Sequence, residues 1–300
     1  MRGIIDMERL KTTVPGNGAP ITEWKRFLIF MRTHPSFTIG LVIVLANLLL
    51  MIFGPILAPY DPFEANPAVV RQAPSAAHIF GTDLNGMDIF SRVIYAPRID
   101  LTIALVGTAI SLVIGILLGG YTGFWDNWFS TLIERVADLL QAFPPFVLAM
   151  ALVAVTGQKI QNVIYVIAFL NIPIYLRLVR SNVISVRNCT YVEAAICVGG
   201  SKTRILFRHI LPNVISSALT QASINIGWAI LMTSGLSFIG AGVPVPTPEW
   251  GAMIAVGAST IIMGEWWSSM FPGLAIVIAA LGFALVGDGL QVFFDPTKRS

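Results

Sequence analysis

Residues 200–203, Gly-Ser-Lys-Thr, are a stretch of this chain that resembles a phosphate-binding loop. Such a loop needs a glycine directly before the lysine and another five residues earlier, because its backbone N–H groups cradle phosphate. Ser201 precedes Lys202, and residues 192–197 contain no glycine. The sequence therefore predicts that this chain has no nucleotide site.

The other residue types that commonly take part in catalysis do not form a recognisable site. No Ser/His/Asp set or metal-binding histidine pair is visible, and His34, His78 and His209 are predicted to be structural. Cys189 and Cys197 are the only cysteines, which implies no disulfide framework and makes a poor metal site. We predict that the chain is not an enzyme and binds no cofactor or metal of its own.

The same region reads better as a polar hairpin of two short helices, Thr190–Asn213, which we call the docking hairpin. Thr190 and Glu193 have the spacing of a capping box, and Gly199-Gly200 can form the left-handed turn that ends a helix. Ser201 can cap the second helix, which Pro212 closes. The small residues Ala194 and Ala195 would let another surface approach closely, and the second helix carries Lys202, Arg204 and Arg208.

This hairpin interrupts a very apolar chain. Hydrophobic residues make up 55% of the 300 residues and charged residues 12%, with a mean hydropathy of +0.77. A membrane-spanning helix needs about 20 apolar residues. Uncharged runs occupy 37–58, 101–124, 139–158, 160–176, 213–248 and 266–287, and the fifth is expected to end near Gly240. The sequence predicts an all-α membrane protein with six spans.

Charge predicts how those spans are oriented. With both termini in the cytoplasm, only four of the 19 lysines and arginines lie outside: Arg71, Arg92, Arg98 and Lys159. Because basic residues concentrate in cytoplasmic loops, this topology is favoured, and it places the docking hairpin in the cytoplasm. The acidic and basic residues also cluster at the water boundaries, which argues against ion coupling.

The predicted organisation has four parts. Residues 1–36 form a cytoplasmic segment with an amphipathic helix, 37–58 the first span, 59–100 a periplasmic loop, and 101–300 a five-helix core containing the docking loop 186–212. Trp24, Phe27, Leu28 and Met31 share one helical face. Lys25, Arg26 and Arg32 can reach lipid headgroups, so a membrane-surface anchor and a helix packed on the protein are both open.

In the periplasmic loop, Gly81, Asp83, Gly86 and Asp88 suggest two interpretations. The ligand spacing of a calcium loop is absent. We favour a rigid turn in which the aspartates accept hydrogen bonds from the backbone.

Within the spans, Gly115, Gly119 and Gly123 recur every four residues, which favours close helix packing over a smooth pore wall. Asp138 lies one turn after Arg135, so a paired residue at the interface is favoured over a gating role.

Two further features concern helix geometry. Pro144 and Pro145 predict a kink in the third span, and Pro173 predicts one in the fourth. Gly287 and Gly289 around Asp288 predict a tight helix exit, with the aspartate tied to backbone donors or an arginine.

With these residues assembled, the chain resembles the second, C-type permease of the dipeptide/oligopeptide/nickel family of bacterial ATP-binding-cassette importers. The resemblance runs from about Pro35 to the end. Its motifs are Phe80-Gly-Thr-Asp with Asp88-Ile-Phe-Ser-Arg, Asp138 with Ala142-Phe143-Pro144, Tyr191-Val-Glu-Ala-Ala with Gly199, Arg208-His-Ile-Leu-Pro-Asn, Leu236-Ser-Phe-Ile-Gly, Pro248-Glu249-Trp250-Gly, Phe271-Pro-Gly, and Gly287-Asp-Gly-Leu with Asp295-Pro. Met87, Pro97, Ala284 and Gln291 depart from the family pattern, so no external-loop salt bridge is carried over.

The resemblance implies the type I permease fold, with an N-terminal interfacial helix and cytoplasmic coupling helices, in the bacterial inner membrane. It implies two ATP-binding subunits that carry ATP and Mg, a second permease as heterodimer partner, and a periplasmic solute-binding protein. The docking hairpin would ride on an ATPase subunit through Tyr191, Glu193, Ala194, Ala195 and Gly199. Glu249 and Trp250 join the periplasmic-loop candidates.

Two other functions stay open: an ion-coupled secondary transporter, and a membrane assembly subunit that transports nothing. No span offers a convergent polar set that distinguishes dipeptides, oligopeptides, metal chelates, glutathione-like or opine-like solutes. Nothing in the sequence calls for nucleic acid, because the net charge of +3 reflects membrane insertion.

Overall fold

A computed structural model describes residues 23–294, and within that range the chain is almost entirely helical. The α-helices are α1 Glu23–Thr33, α2 Pro35–Leu57, α3 Ile89–Tyr95, α4 Pro97–Phe124, α5 Trp128–Ala142, α6 Pro145–Thr156, α7 Ile160–Arg187, α8 Thr190–Cys197, α9 Lys202–Ile205, α10 Leu211–Phe238, α11 Trp250–Ala258 and α12 Trp267–Phe294. Single turns of 3₁₀-helix lie at Pro67–Val69 and Ile261–Met263, and a π-helical turn at Leu206–Ile210 joins α9 to α10.

Five helical segments are long and apolar enough to cross a membrane: Pro35–Leu57, Ile89–Phe124, Ile160–Arg187, Lys202–Phe238 and Trp267–Phe294. A sixth candidate is the pair α5–α6, which bends by 96° at its break. The bend falls at Phe143 and Pro144, as the two prolines predict, because proline cannot donate the hydrogen bond that would continue the helix. The helix α7, by contrast, continues through Pro173.

The segment 59–100 is more helical than the periplasmic loop expected there. It contains α3 and the first turn of α4. Asp88 begins α3 by accepting a hydrogen bond from the N–H of Ser91, 2.8 Å away. This cap, followed by a short apolar run, is the local signal that the sequence reading missed.

The described residues fall into two compact units, divided after Pro35. Of the first unit the structure describes α1, where the exposed indole of Trp24 stacks on the ring of Phe27 at 6.1 Å between centroids. The choice between a membrane anchor and a packed helix stays a prediction. The Asp295-Pro296 motif lies outside the described residues.

In the second unit α4 packs along the length of α7, and the predicted glycine stripe lies at this contact. A Cβ at Gly119 would lie 2.5 Å from the carbonyl oxygen of Leu176, and one at Gly123 would lie 2.8 Å from Cβ of Val183. Close packing is therefore confirmed, because the glycines allow the two backbones to approach.

The predicted helix exit around Asp288 is wrong. The helix α12 continues to Phe294, and Asp288 is an exposed residue on its surface. Gly287 and Gly289 instead make room for Ile224 of α10 and Phe37 of α2. The glycine pair marks close contact between helices, which sequence alone does not separate from a helix end.

Candidate docking site on the hairpin Thr190–Asn213

The first helix of the docking hairpin begins differently from the prediction. Cys189 is the N-cap residue, with extended backbone, and its side chain makes no capping hydrogen bond. Thr190 is already helical, so it cannot cap Glu193, and the predicted capping box is wrong. The helix is instead fixed by burial, because Val192 is fully inaccessible to solvent.

The turn and the second cap are confirmed. Gly199 has φ of +83°, which a side-chain-bearing residue adopts only with strain. Its N–H donates to the carbonyl of Ile196 at 2.9 Å. Ser201 then caps α9 by accepting from the N–H of Arg204 at 3.4 Å.

Pro212 does not close the hairpin, as the sequence had suggested. The chain widens into a π-helical turn over Leu206–Ile210 and continues directly into α10. A proline lacks its own N–H and crowds the carbonyl four residues earlier, so the preceding turn must open. The side-chain amide of Asn213 donates to the carbonyl of His209 at 2.7 Å. The hairpin and the membrane helix are thus one continuous element.

The base of the hairpin is buried in the membrane domain. Val192, Ile205 and Leu206 form one apolar cluster with helices α7 and α10; the other buried members are Val179, Val183, Ile210, Leu211, Val214 and Ala218. Interiors of this kind are close-packed and transmit displacement with little compression. The hairpin is therefore packed directly against α7 and α10.

The tip of the hairpin is exposed and partly apolar. Val198 is 89% exposed, Ile196 56% and Tyr191 45%. Glu193, Ala194 and Gly199 are exposed beside them, while Ala195 is half-buried. Lys202, Arg204 and Arg208 are also exposed, and none of them pairs with an acidic side chain among the described residues.

One polar contact links the tip to the membrane helix. The side-chain amide of Asn213 at the start of α10 donates to the hydroxyl of Tyr191 on α8, at 3.2 Å. The same amide holds the carbonyl of His209. Asn213 therefore fixes α8 against the π-helical turn.

Two ion pairs join α5 to α7 at the same end of the bundle. Asp138 lies 2.7 Å from Arg177 and 3.5 Å from Arg135, so its nearer partner is on another helix rather than on its own. Glu134 pairs with Arg180 at 2.6 Å. The sequence pointed to Arg135 because only near neighbours are visible in a single chain.

In the external segment, Asp83 and Asp88 hold backbone turns as predicted. One carboxylate oxygen of Asp83 accepts from the N–H groups of Asn85 and Met87, at 2.8 and 3.0 Å. Gly81 and Gly86 both have positive φ. Nδ1 of His78 lies 2.9 Å from Asp88. Residues 23–294 contain no group of three potential metal-ligating side chains, which leaves the calcium interpretation without support.

Arg92 ties this segment together, a role that the sequence reading missed. It is nearly buried, and its guanidinium donates to the carbonyls of Pro62 and Pro246, at 2.8 and 3.1 Å. Its third contact is the sulfur of Met87, 2.7 Å away. The methionine that departs from the family pattern therefore packs on a buried cation.

A second missed feature is a buried pair of acids, Asp100 and Glu249. Both are completely inaccessible to solvent. Glu249 caps α11 by accepting from the N–H of Ala252 at 2.7 Å. Trp250 is buried, and its indole donates to the carbonyl of Val93 at 3.1 Å. These two periplasmic-loop candidates are therefore core residues.

Comparison with known proteins agrees with this architecture. Residues 111–300 match the family of binding-protein-dependent transport system inner membrane components. Residues 22–74 match the N-terminal transmembrane domain of oligopeptide transport permease C.

Several curated proteins are similar over nearly the whole chain. The dipeptide transport system permease protein DppC of Alkalihalophilus pseudofirmus is 38% identical, covering 93% of this chain and 92% of its own. The probable D,D-dipeptide transport system permease protein DdpC of Escherichia coli is 41% identical, covering 89% of each. The glutathione transport system permease protein GsiD of Pectobacterium atrosepticum is 38% identical, covering 93% of each.

Both the matched residues and the multi-helix membrane architecture lead to one assignment. This chain belongs to the family of binding-protein-dependent inner-membrane transport components, as the second, C-type permease of the dipeptide/oligopeptide/nickel group of ATP-binding-cassette importers.

Proposed function

We propose that this permease imports peptides or similar small solutes from the periplasm to the cytoplasm, driven by ATP hydrolysis on two partner subunits. The docking hairpin sits on one ATPase subunit, and both termini lie in the cytoplasm. A second permease completes the membrane path, and a periplasmic binding protein delivers the solute. The chain itself binds no nucleotide, so the free energy of ATP hydrolysis reaches it through the contact between the docking hairpin and the ATPase subunit.

The observation that carries this proposal is the contrast between the tip and the base of the hairpin. Val198 is 89% exposed, whereas Val192 on the same short helix is fully buried. Exposed apolar side chains grouped at one site mark an interaction surface. The buried base supports transmission of force, because Val192 packs in one cluster with α7 and α10.

The helix that leaves the hairpin also offers a candidate wall for the solute path. Three residues after Asn213, α10 presents Ser216, Ser217, Thr220 and Gln221 to a cavity of about 330 Å³. Hydroxyl and amide groups can form hydrogen bonds with a small polar solute, which they cannot do with lipid chains. A displacement of the hairpin would therefore move the polar face of α10 as well. We propose that this links ATPase closure to alternating access.

The experiment is reconstitution in liposomes with and without the ATPase subunits. We expect uptake of a dipeptide or of glutathione only when ATP, the ATPase subunits and the binding protein are present. Uptake on a proton or sodium gradient without any ATPase would contradict the proposal and support the ion-coupled alternative. A stable complex that purifies with no ATPase would support the assembly-subunit alternative.

A further inference from the structure

The buried acids Asp100 and Glu249 lie at the end of the bundle opposite the docking hairpin. Asp100 is in the first turn of α4, and Glu249 is the N-cap residue of α11. Both are 0% exposed. The two residues are 149 positions apart in the chain, so only the fold brings them together.

Both carboxyl groups are directed at the N-terminus of α11. The N–H of Trp250 donates to Oδ2 of Asp100 at 3.2 Å, and the N–H of Ala252 donates to Oε2 of Glu249 at 2.7 Å. Trp250 and Ala252 belong to the same first turn, so the two carboxyl groups approach one helix terminus together. An ionised carboxylate only accepts hydrogen bonds, so either group could donate to the other only if it carried a proton.

The remaining oxygens point to the same conclusion. Oδ1 of Asp100 and Oε1 of Glu249 are buried without a donor from the described residues. Leaving a buried charged acceptor unsatisfied is costly. A shared proton supplies the missing donor.

Within residues 23–294, no cation faces the pair to compensate two negative charges. On α3, Arg92 donates to Pro62, Pro246 and Met87 instead, and on α4 Arg98 is exposed. Arg71 pairs with Glu265 of the segment before α12. The helices α10 and α11 carry no acidic or basic residue.

The positive charge near the pair therefore suffices for only about one ionised carboxylate at this site. The N-terminus of a helix provides the equivalent of roughly half a positive charge. Two carboxyl groups that share a site cannot both ionise readily, so one keeps its proton. Glu249 lies outside the membrane-spanning helices; burial raises its pKa above the ordinary value, although the hydrogen bonds that it accepts oppose this.

We propose that Asp100 and Glu249 form a proton-binding site, in which one proton held between the two carboxyl groups latches α11 onto the start of α4. Loss of the proton places two negative charges in one buried site and releases the N-terminus of α11. The latch therefore responds to the acidity of the compartment that it faces.

A metal ion in place of the proton is the main competing occupant. Calcium takes six to eight oxygen ligands. Among the described residues no third acidic, histidine or cysteine side chain joins the pair. The geometry therefore favours the proton.

The test is infrared spectroscopy of the assembled transporter in lipid nanodiscs at about pH 8, where carboxyl groups with ordinary pKa values of about 4 are ionised. We expect a carboxylic-acid C=O band that shifts in D₂O. The band should disappear in Glu249→Gln and in Asp100→Asn, each of which keeps a hydrogen-bond donor and a single charge. It should persist in Glu64→Gln, which removes an exposed carboxyl group on the same side.

Absence of the band from the wild-type protein would overturn the proposal, and this result does not depend on any variant assembling. A band that survives both pair substitutions would also overturn it, because the proton would belong to another group. If the wild-type band were absent and sodium or calcium chloride raised the melting temperature, the site would bind a cation.

Discussion

The side-chain amide of Asn213 donates a hydrogen bond to the hydroxyl of Tyr191 at 3.2 Å. The two residues lie on different structural elements: Tyr191 is on the exposed helix α8, and Asn213 is in the first turn of the membrane helix α10. This hydrogen bond adds a polar contact to the apolar contacts that the buried cluster around Val192 makes with α10. Together they join the docking hairpin to α10.

Tyr191→Phe should weaken this connection without unfolding the protein. A single neutral hydrogen bond contributes about 1 kcal/mol, so we expect a loss of about fivefold in solute moved per ATP hydrolysed. Parallel measurement of uptake and ATPase activity in proteoliposomes checks this. Tyr165→Phe is the matched control, because Tyr165 is 62% exposed on α7 and makes no side-chain hydrogen bond among the described residues. Equal losses in both variants would remove the special role of Tyr191.

Gly119→Ala should destabilise the contact between α4 and α7. The added Cβ would lie 2.5 Å from the carbonyl oxygen of Leu176, so the helices must separate. Overpacking of this kind costs about 1–3 kcal/mol, which thermal unfolding of the purified complex would detect as a lower midpoint. Gly273→Ala in α12 is the control, because the nearest atom to its Cβ is 3.9 Å away. An unchanged midpoint for Gly119→Ala would show that the helices adjust freely.

The Asp138–Arg177 ion pair should tolerate exchange of its two charges. Both side chains are about half exposed, and pairs of this kind contribute at most about 1 kcal/mol. We therefore expect mild uptake defects in Asp138→Asn and in Arg177→Asp, and partial recovery in Asp138→Arg combined with Arg177→Asp. Failure of Asp138→Asn to fold would assign it a purely structural role. A double variant worse than either single one would show that Asp138 acts through something other than Arg177.

The pH dependence of stability should differ between the wild type and Glu249→Gln. Burial raises the pKa of Glu249 above its ordinary value of about 4.3, so above that pH the folded protein holds more protons than the unfolded chain. Wild-type stability must then fall as pH rises, by about 1.4 kcal/mol per pH unit while the proton is retained, and glutamine lacks this dependence. The melting-temperature difference, variant minus wild type, should widen as pH rises above about 4.3 and level off once the folded protein has lost the proton. Parallel melting curves would mean that Glu249 does not hold the proton.

Local patterns in the sequence predicted much of this fold. The four-residue spacing of Gly115, Gly119 and Gly123 indicated a contact face, since residues at that spacing share one side of a helix. Pro144 and Pro145 indicated the bend, and Gly199 the turn. Each of these is decided by the residue's own backbone preferences, which sequence displays directly.

Relationships between distant residues could not be predicted in this way. The sequence did not indicate that Asp100 and Glu249 lie together, because only the fold brings the start of α11 to the start of α4 and buries both. Arg177 likewise reaches Asp138 across 39 positions. The predicted capping box at Thr190 was wrong by a single position. The helix starts at Thr190, so the N-cap residue is Cys189.

The most direct test of the docking hairpin is the ratio of solute imported to ATP hydrolysed in Glu193→Lys and Gly199→Asp. Both residues are exposed, and no atom lies within 4 Å of a Cβ at Gly199. Aspartate at a φ of +83° strains the turn by about 1–2 kcal/mol, but the strain is confined to the hairpin, so insertion of the membrane helices should be preserved. Asp126→Lys, at an exposed loop residue on the same side, controls for a changed surface charge. We expect the ratio to fall about tenfold or more in both hairpin variants, as loss of coupling between two sites produces, and to stay unchanged in the control. A normal ratio in both hairpin variants would contradict the docking role.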